Sequence, residues 1–227
     1  MACYSVSSIK DLVQIITPHF LKYPLLTQKG ADFILFKQIV ELMGNKDHLT
    51  FEGKKKLNIK AAMNLGLSES FKSEFKDFIP VERPLIQNEI IPDPYWITGF
   101  VDGEVTFDIK IYSSKTNVGF ALVLIFRIPQ HARDSRIIEL ILKYFRSGSI
   151  EKHTKHPSVT LVITKFTTIS DKIIPFFDKY PLNGVKYFDS LDWCTVQKLK
   201  NNKAHLTQDG FNLIRTIKSG MNKGRKR

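Results

Sequence analysis

Cysteine is scarce. The chain has two thiols, Cys3 and Cys194, in 227 residues. They have neither the number nor the spacing for a disulfide framework or a zinc site, which fits a reducing compartment. Long apolar runs are missing too. The stretch from Leu12 to Phe20 is broken by Thr17, Pro18 and His19, and nothing reaches the roughly 18 apolar residues that a membrane-spanning helix needs. Acidic residues are in short supply, with 22 Asp and Glu against 34 Lys and Arg, a formal charge of +12. Lys and Arg that neutralise phosphates release counterions and give sequence-independent affinity for nucleic acid. Solvated surface lysines give the same total, so charge alone leaves both readings open. Apolar residues are plentiful, at 43% with 17 Phe, enough for a real core in one large domain or two ordinary ones.

The chain repeats itself at a shift of 157. His19-Phe20-Leu21-Lys22-Tyr23-Pro24-Leu25 matches Phe176-Phe177-Asp178-Lys179-Tyr180-Pro181-Leu182, and Lys29, Asp32 and Phe36 meet Lys186, Asp189 and Trp193. Further on, Asn45-Lys46-Asp47-His48-Leu49-Thr50 falls on Asn202-Lys203-Ala204-His205-Leu206-Thr207, and Gly53 on Gly210. One inserted residue later, Ile59 to Asn64 meets Ile217 to Asn222. A repeat of this length fixes architecture before any helix is assigned. Residues 94 to 168 precede the second copy, whereas the equivalent of that stretch for the first copy falls outside the sequence. The chain reads as a C-terminal half-repeat (1–78), a linker (79–93) with prolines at 80, 84 and 92, and a whole second repeat (94–227).

In the whole repeat, Asp93-Pro94 is a helix start, with Asp capping free amides and Pro at the first helical position. The helix runs to about Gly103. From Thr106 the period becomes two: Thr106, Asp108, Lys110 and Tyr112 alternate with Phe107, Ile109 and Ile111, a strand with one buried face. A second strand (Phe120 to Ile128) and a helix carrying Ile137, Leu140, Ile141, Tyr144 and Phe145 follow. Two short strands come next, near Ser149 to His153 and Val159 to Thr164, then helices near Thr167 to Lys179, Ser190 to Lys200 and Gln208 to Ser219. The class is α+β, an antiparallel sheet backed by helices on one face.

Trp96-Ile97-Thr98-Gly99-Phe100-Val101-Asp102-Gly103-Glu104 resembles the LAGLIDADG motif, with Gly99, Asp102 and Glu104 on its third, sixth and eighth positions. The strand, strand, helix, strand, strand order behind it, and the tails "KYPL", "NKxHLT" and "MNxG", are similar to the fungal mitochondrial branch of the LAGLIDADG homing endonucleases and intron maturases. The resemblance spans essentially the whole chain. It implies the endonuclease fold, with two such helices pairing through glycines. Gly99 and Gly103, four apart on one face, suit that close approach. It implies Glu104 as the ligand of a catalytic Mg²⁺, which polarises scissile phosphates and lowers the pKa of attacking water. Gln130 and Lys165 carry over to the cleavage pocket, Gln130 positioning solvent and Lys165 stabilising phosphate charge; read alone, they are a loop residue and a surface lysine. Sheets of this family enter the major groove, and the period of two nominates Asp108, Lys110, Tyr112 and Arg127 as groove-facing. The tail Lys223, Arg225, Lys226 and Arg227 is a further candidate for phosphate contact. A mitochondrial location also follows from the resemblance, with Lys and Phe abundance as compositional support.

Four departures bear on activity. The partner helix and its carboxylate fall outside the sequence, so one Glu104 needs a second copy of the chain or an N-terminal half-repeat partner. Ser8 stands where Lys165 stands in the second copy. Val105 ends the motif in place of Gly, and a β-branched residue resists unusual backbone angles. Ala121, Val123 and Ile125 should face the groove yet are apolar, with Pro129 just before Gln130, a poor strand for reading bases. Three functions stay open: an intron-encoded endonuclease making a metal-dependent double-strand break at a long DNA site, an RNA-binding maturase that assists splicing, and a catalytically inactive relic or structural nucleic-acid-binding module.

Overall fold

A computed structural model of the chain describes residues 3–50, 55–74, 78–86 and 89–225, and divides into two units, Met1–Asn88 and Glu89–Arg227. Gly53, matched to Gly210 in the repeat, and the tail residues Lys226 and Arg227 lie outside the described residues.

The first unit is helical among the described residues. Ser8 caps α1 (Ile9–Asp11), which passes through a π-helical turn (Leu12–Ile16) into α2 (Thr17–Lys22). Next come α3 (Gln28–Gly44), a 3-10 turn (Asp47–Leu49), α4 (Lys55–Ala62) and α5 (Glu69–Glu74). Leu26, Ala31, Leu35, Val40, Ile59 and Leu67 are buried. Asp32 on α3 accepts the Asn64 N–H at 2.8 Å and the Arg83 guanidinium at 2.7 Å. Arg83 also donates to the carbonyls of Gln28 and Ala62, both at 3.0 Å. The start of the segment read as a linker is therefore docked on this unit, and the Ile79 and Val81 N–H groups donate to Asn58 as well.

The second unit runs α6 (Pro94–Glu104), β1 (Thr106–Ser113), β2 (Phe120–His131), α7 (Ser135–Phe145), β3 (Ser149–His153), β4 (Ser158–Ile163), α8 (Phe166–Thr168), a π-helical turn (Ile169–Ile173), α9 (Ile174–Lys179), α10 (Lys186–Asn201) and α11 (Gln208–Ser219). It is α+β, a four-stranded antiparallel sheet in the order β1-β2-β4-β3. Phe107 and Phe126, cross-strand partners on one face, pack at 5.7 Å. Phe145 of α7, Phe177 of α9 and Trp193 of α10 close over them, and Phe211 of α11 stacks on Phe120. All four helices thus cover one face of the sheet. Rings of this size each bury on the order of 150–250 Å², which is why so many Phe suffice for a modest sheet. Before β3, Gly148 has a φ of +112°, and an added Cβ there would lie 2.8 Å from the Ile163 side chain, so the position has no room for one.

The strand β2 extends to His131, past the expected end at Ile128, so Gln130 lies inside it. Pairing with β1 stops at the Thr106–Arg127 pair, but β4 continues from Ile128 to His131. Pro129 sits where β2 has only β4 as a partner, so its missing N–H is tolerated there.

The duplication is visible in local geometry. The π-helical turns Leu12–Ile16 and Ile169–Ile173, the left-handed lysines Lys46 (φ 63°) and Lys203 (φ 59°), and the 3-10 turns Asp47–Leu49 and Ala204–Leu206 each recur at the same shift. Asp189, 2% exposed, repeats the role of Asp32 by accepting the Asn222 N–H and the Arg225 guanidinium, each at 3.0 Å. Arg225 also pairs with Asp192, and these hydrogen bonds, that to Asp192 first, raise its pKa further. The sequence nominated Arg225 for phosphate contact; its fork is instead committed to two carboxylates and fastens the tail to α10.

Candidate nucleic-acid interface and metal site

The Asp93 carboxylate accepts the Tyr95 N–H at 2.7 Å and starts α6, with Pro94 in the first turn. Ile97, Thr98 and Val101 bury one side of the helix. Two polar anchors fix its axis. Thr98 donates its hydroxyl to the Tyr180 carbonyl at 3.1 Å, and Asp102 accepts the N–H groups of Asn183 at 2.8 Å and Gly184 at 3.0 Å. On the exposed side stand Gly99 and Gly103, where an added Cβ would meet nothing within 4 Å among the described residues. Trp96 and Phe100 stack at 5.0 Å at helical spacing from these glycines.

The two acids of the motif therefore meet different fates. Asp102, whose role the sequence left unassigned beyond its place in the motif, is consumed in holding the loop before α10. Glu104 ends the helix exposed, with no hydrogen bond or ion pair among the described residues. Val105 does not disturb it. This residue is fully buried with φ −71° and ψ 152°, an ordinary extended conformation, so the strain expected from a β-branched residue here is absent.

The sheet register sets Glu104 against the other candidates. Thr106, two residues after Glu104, pairs with Arg127, and Gln130 lies three residues further along β2, so Glu104 and Gln130 come to the same end of the sheet. The Gln130 Oε1 accepts the His131 N–H at 2.8 Å. Lys165 leaves at the opposite end of β4: Ile163 pairs with Phe126, whereas Gln130 pairs with Val159, a difference of about 13 Å along the strand. Strand pairing sends Glu104 and Gln130 to the same end of the sheet and the Lys165 backbone to the other.

The sheet face turned away from the helices carries Thr106, Asp108, Lys110 and Tyr112 from β1, in register with Arg127, Ile125, Val123 and Ala121 of β2. Lys110 and Tyr112 are exposed. Asp108 and Arg127 are half-exposed and form an ion pair at 3.5 Å, so each holds the other. The face continues through Val162, Thr160 and Ser158 of β4 to Ser149, Glu151 and His153 of β3, with the His153 ring 3.0 Å from the Thr160 hydroxyl. These β3 and β4 residues were not nominated from sequence, although the same period of two would have found them.

Among the described residues no three of His, Cys, Asp and Glu form a metal cluster. Mg²⁺ is commonly held by one or two carboxylates, with substrate phosphates and water completing its oxygen shell. One free carboxylate, Glu104, suits one share of such a site.

A family model described as LAGLIDADG endonuclease matches residues 1–40 and 97–197. The chain belongs to the LAGLIDADG endonuclease family. It is 49% identical over 213 residues to a probable intron-encoded endonuclease 3 of Neurospora crassa, a match covering 93% of this chain and 40% of that protein. The LAGLIDADG chain thus spans about two-fifths of that relative's length. Among solved structures, the I-SmaMI LAGLIDADG homing endonuclease bound to cleaved DNA matches with a TM-score of 0.94 at 43% identity, over 100% of this chain and 78% of that one. I-SmaMI bound to its uncleaved DNA target in the presence of calcium ions matches with a TM-score of 0.91 at 44% identity, over 96% and 74%. The endonuclease fold read from the motif is therefore the fold of this chain. No described helix is long and apolar enough to cross a membrane.

Proposed function

We propose that this chain carries the second repeat (94–227) and the C-terminal half of the first (1–78) of an intron-encoded homing endonuclease that makes a metal-dependent double-strand break in DNA. The observation that carries the reading is the state of α6. Asp102 and Thr98 anchor it, its glycine face is open, and Glu104 is left free at its end.

Glu104 would hold a divalent cation, Mg²⁺ on this reading, through hard carboxylate oxygens; bound, such an ion polarises a phosphate and lowers the pKa of water. Gln130, at the same end of the sheet, would orient solvent. Lys165 would stabilise phosphate charge if its side chain approaches the DNA from the far end of β4. Lys110, Tyr112 and the Asp108–Arg127 pair would face the major groove. The open Gly99/Gly103 face would receive a second motif helix, from a second copy or from polypeptide outside this sequence. A mitochondrial setting fits the fungal, intron-encoded character of the relative.

The test is Mg²⁺-dependent cutting of an intronless target, with the chain alone and with Glu104→Gln. Cutting that Glu104→Gln lowers by several orders of magnitude supports the reading; cutting that survives Glu104→Gln, or absence of cutting by the native chain both alone and joined to a first motif helix, sinks it. The +12 charge, with no cluster of three or more His, Cys, Asp and Glu among the described residues, favours, as a second reading, RNA binding in aid of splicing. Binding of intron RNA would then be steeply salt-dependent and indifferent to Glu104→Gln.

A further inference from the structure

On a solvated antiparallel sheet face, alternate residues are normally polar. The strand β1 obeys this rule, with Thr106, Asp108, Lys110 and Tyr112 outward. Its partner does not: opposite Tyr112, Lys110 and Asp108 stand Ala121, Val123 and Ile125. Ile125 and Val162 are 3% and 7% exposed and help fill the sheet's own middle, whereas Ala121 and Val123 are half-exposed between charged and aromatic neighbours. Ala121 and Val123 thus display two apolar side chains side by side, two residues apart, on this face; the other exposed apolar residue there, Pro129, stands apart where β2 pairs with β4 alone.

The outward positions of all four strands include no Asn or Gln, the residues that grip adenine in two places. Of the two cations that could bind guanine there, Arg127 is held by Asp108. In the major groove the partner of an apolar side chain is the thymine C5-methyl group. We infer that Ala121 and Val123 form a thymine-methyl reader, flanked by Lys110 and Tyr112, which makes this face selective for T-bearing DNA. The inference rests on the DNA-binding reading above and deepens it. Alternate strand residues lie about 7 Å apart, roughly two base steps at about 3.4 Å each, so the two thymines are about two base pairs apart. The same chemistry disfavours RNA, because uracil lacks the methyl.

The experiment equilibrates the full chain with a pool of randomised DNA duplexes and sequences the bound fraction. Each thymine of an enriched duplex is then replaced by deoxyuridine, which removes the methyl and leaves base pairing intact. Fluorescence anisotropy reads the affinity. Two thymines at the stated spacing should be enriched, and each replacement should weaken binding about fourfold, the equivalent of one buried CH₂ group. Val123→Ser should abolish the sensitivity at one of the two positions, and Val123→Thr, which keeps a methyl and the β-branch, should retain it. A misfolded variant does not reproduce that pattern, since it loses binding at every position.

Duplex binding that ignores every deoxyuridine replacement overturns the methyl reader and leaves DNA binding standing. Sensitivity that Val123→Ser does not alter assigns methyl readout to other residues and overturns the assignment to this pair. A chain that enriches no duplex overturns the DNA reading and this inference with it.

Discussion

Two carboxylates on the last turn of α6, two residues apart, do opposite work because the backbone around them differs. Asp102 meets two outward-pointing N–H groups of the loop before α10, at 2.8 and 3.0 Å, and hydrogen bonds to a charged acceptor contribute on the order of 1.5–3 kcal/mol. Asp102→Ala should therefore lower the unfolding free energy by about 2 kcal/mol in urea titration, and Asp102→Asn, which keeps one acceptor oxygen, by less. Glu104→Gln touches no such partner and should stay within about 0.5 kcal/mol of the native chain. Equal destabilisation by the two substitutions would contradict this division of labour. His205 offers a second test at the same scale. Burial, with the Lys200 ammonium adding to it, lowers the imidazole pKa below its ordinary value, and its Nδ1 has no hydrogen-bond partner among the described residues. The unfolded chain takes up this proton near pH 6.5, whereas the folded chain still holds the neutral ring. The stability associated with the neutral ring is full above about pH 6.5, falls as pH drops through that value, and levels off below the lowered folded pKa. Stability measured between pH 7.5 and 5 should fall less steeply in His205→Gln than in the native chain; parallel curves would show that the ring carries no pH-dependent stability.

At the scale of elements, α6 is stabilised from one side and left bare on the other. Glycine within a helix costs about 0.5–1 kcal/mol relative to alanine, and at Gly99 and Gly103 nothing lies within 4 Å of an added Cβ among the described residues. Gly99→Ala and Gly103→Ala should each stabilise this chain by up to about 1 kcal/mol in thermal or urea unfolding. If the glycines persist because another helix must approach, the same substitutions should reduce self-association or cleavage, and bulkier Gly99→Leu should abolish both. Unchanged association and cleavage would remove the reason for these glycines. Much of this element was legible in sequence, because capping by Asp93-Pro94 and the spacing of Gly99 and Gly103 are local signals. The strand β1 was legible for the same reason, a period of two over a few residues. The duplication was legible because the left-handed lysine and the 3-10 turn sit in a short segment that keeps nearly all its residues in both copies, Asn45–Thr50 and Asn202–Thr207, whereas the π-helical turns share only Ile16 and Ile173 and were not legible. What escaped depends on distant chain. The strand β2 reaches His131 because β4 pairs with it there, despite Pro129. Asp102 acquires its role from residues about eighty positions later, and Arg225 reads as part of a basic tail until Asp189 and Asp192 of α10 are brought beside it.

For the whole molecule the governing quantity is charge, and what matters is how many of the 34 Lys and Arg are free to meet a polyanion. Several cations are already spent. Arg83 and Arg225 are bound to Asp32 and to Asp189 and Asp192, Arg127 to Asp108, and Lys200 donates to the Leu122 carbonyl at 3.0 Å while burial lowers its pKa. The remaining exposed lysines set the salt dependence of binding, because each phosphate neutralised contributes about −0.9 to the slope of log K against log salt. If this chain engages on the order of five phosphates, the slope is about −4.5, and affinity for duplex DNA should fall a few hundredfold between about 50 and 200 mM salt. Arg225→Gln and Arg83→Gln should lower stability and leave that slope unchanged, since neither guanidinium is available to phosphate. Lys110→Gln should make the slope shallower by about one without unfolding the chain. Anisotropy titrations at four or so salt concentrations separate these cases: a slope reduced by Arg225→Gln and indifferent to Lys110→Gln would mean that the tail, and not the sheet face, carries the nucleic acid.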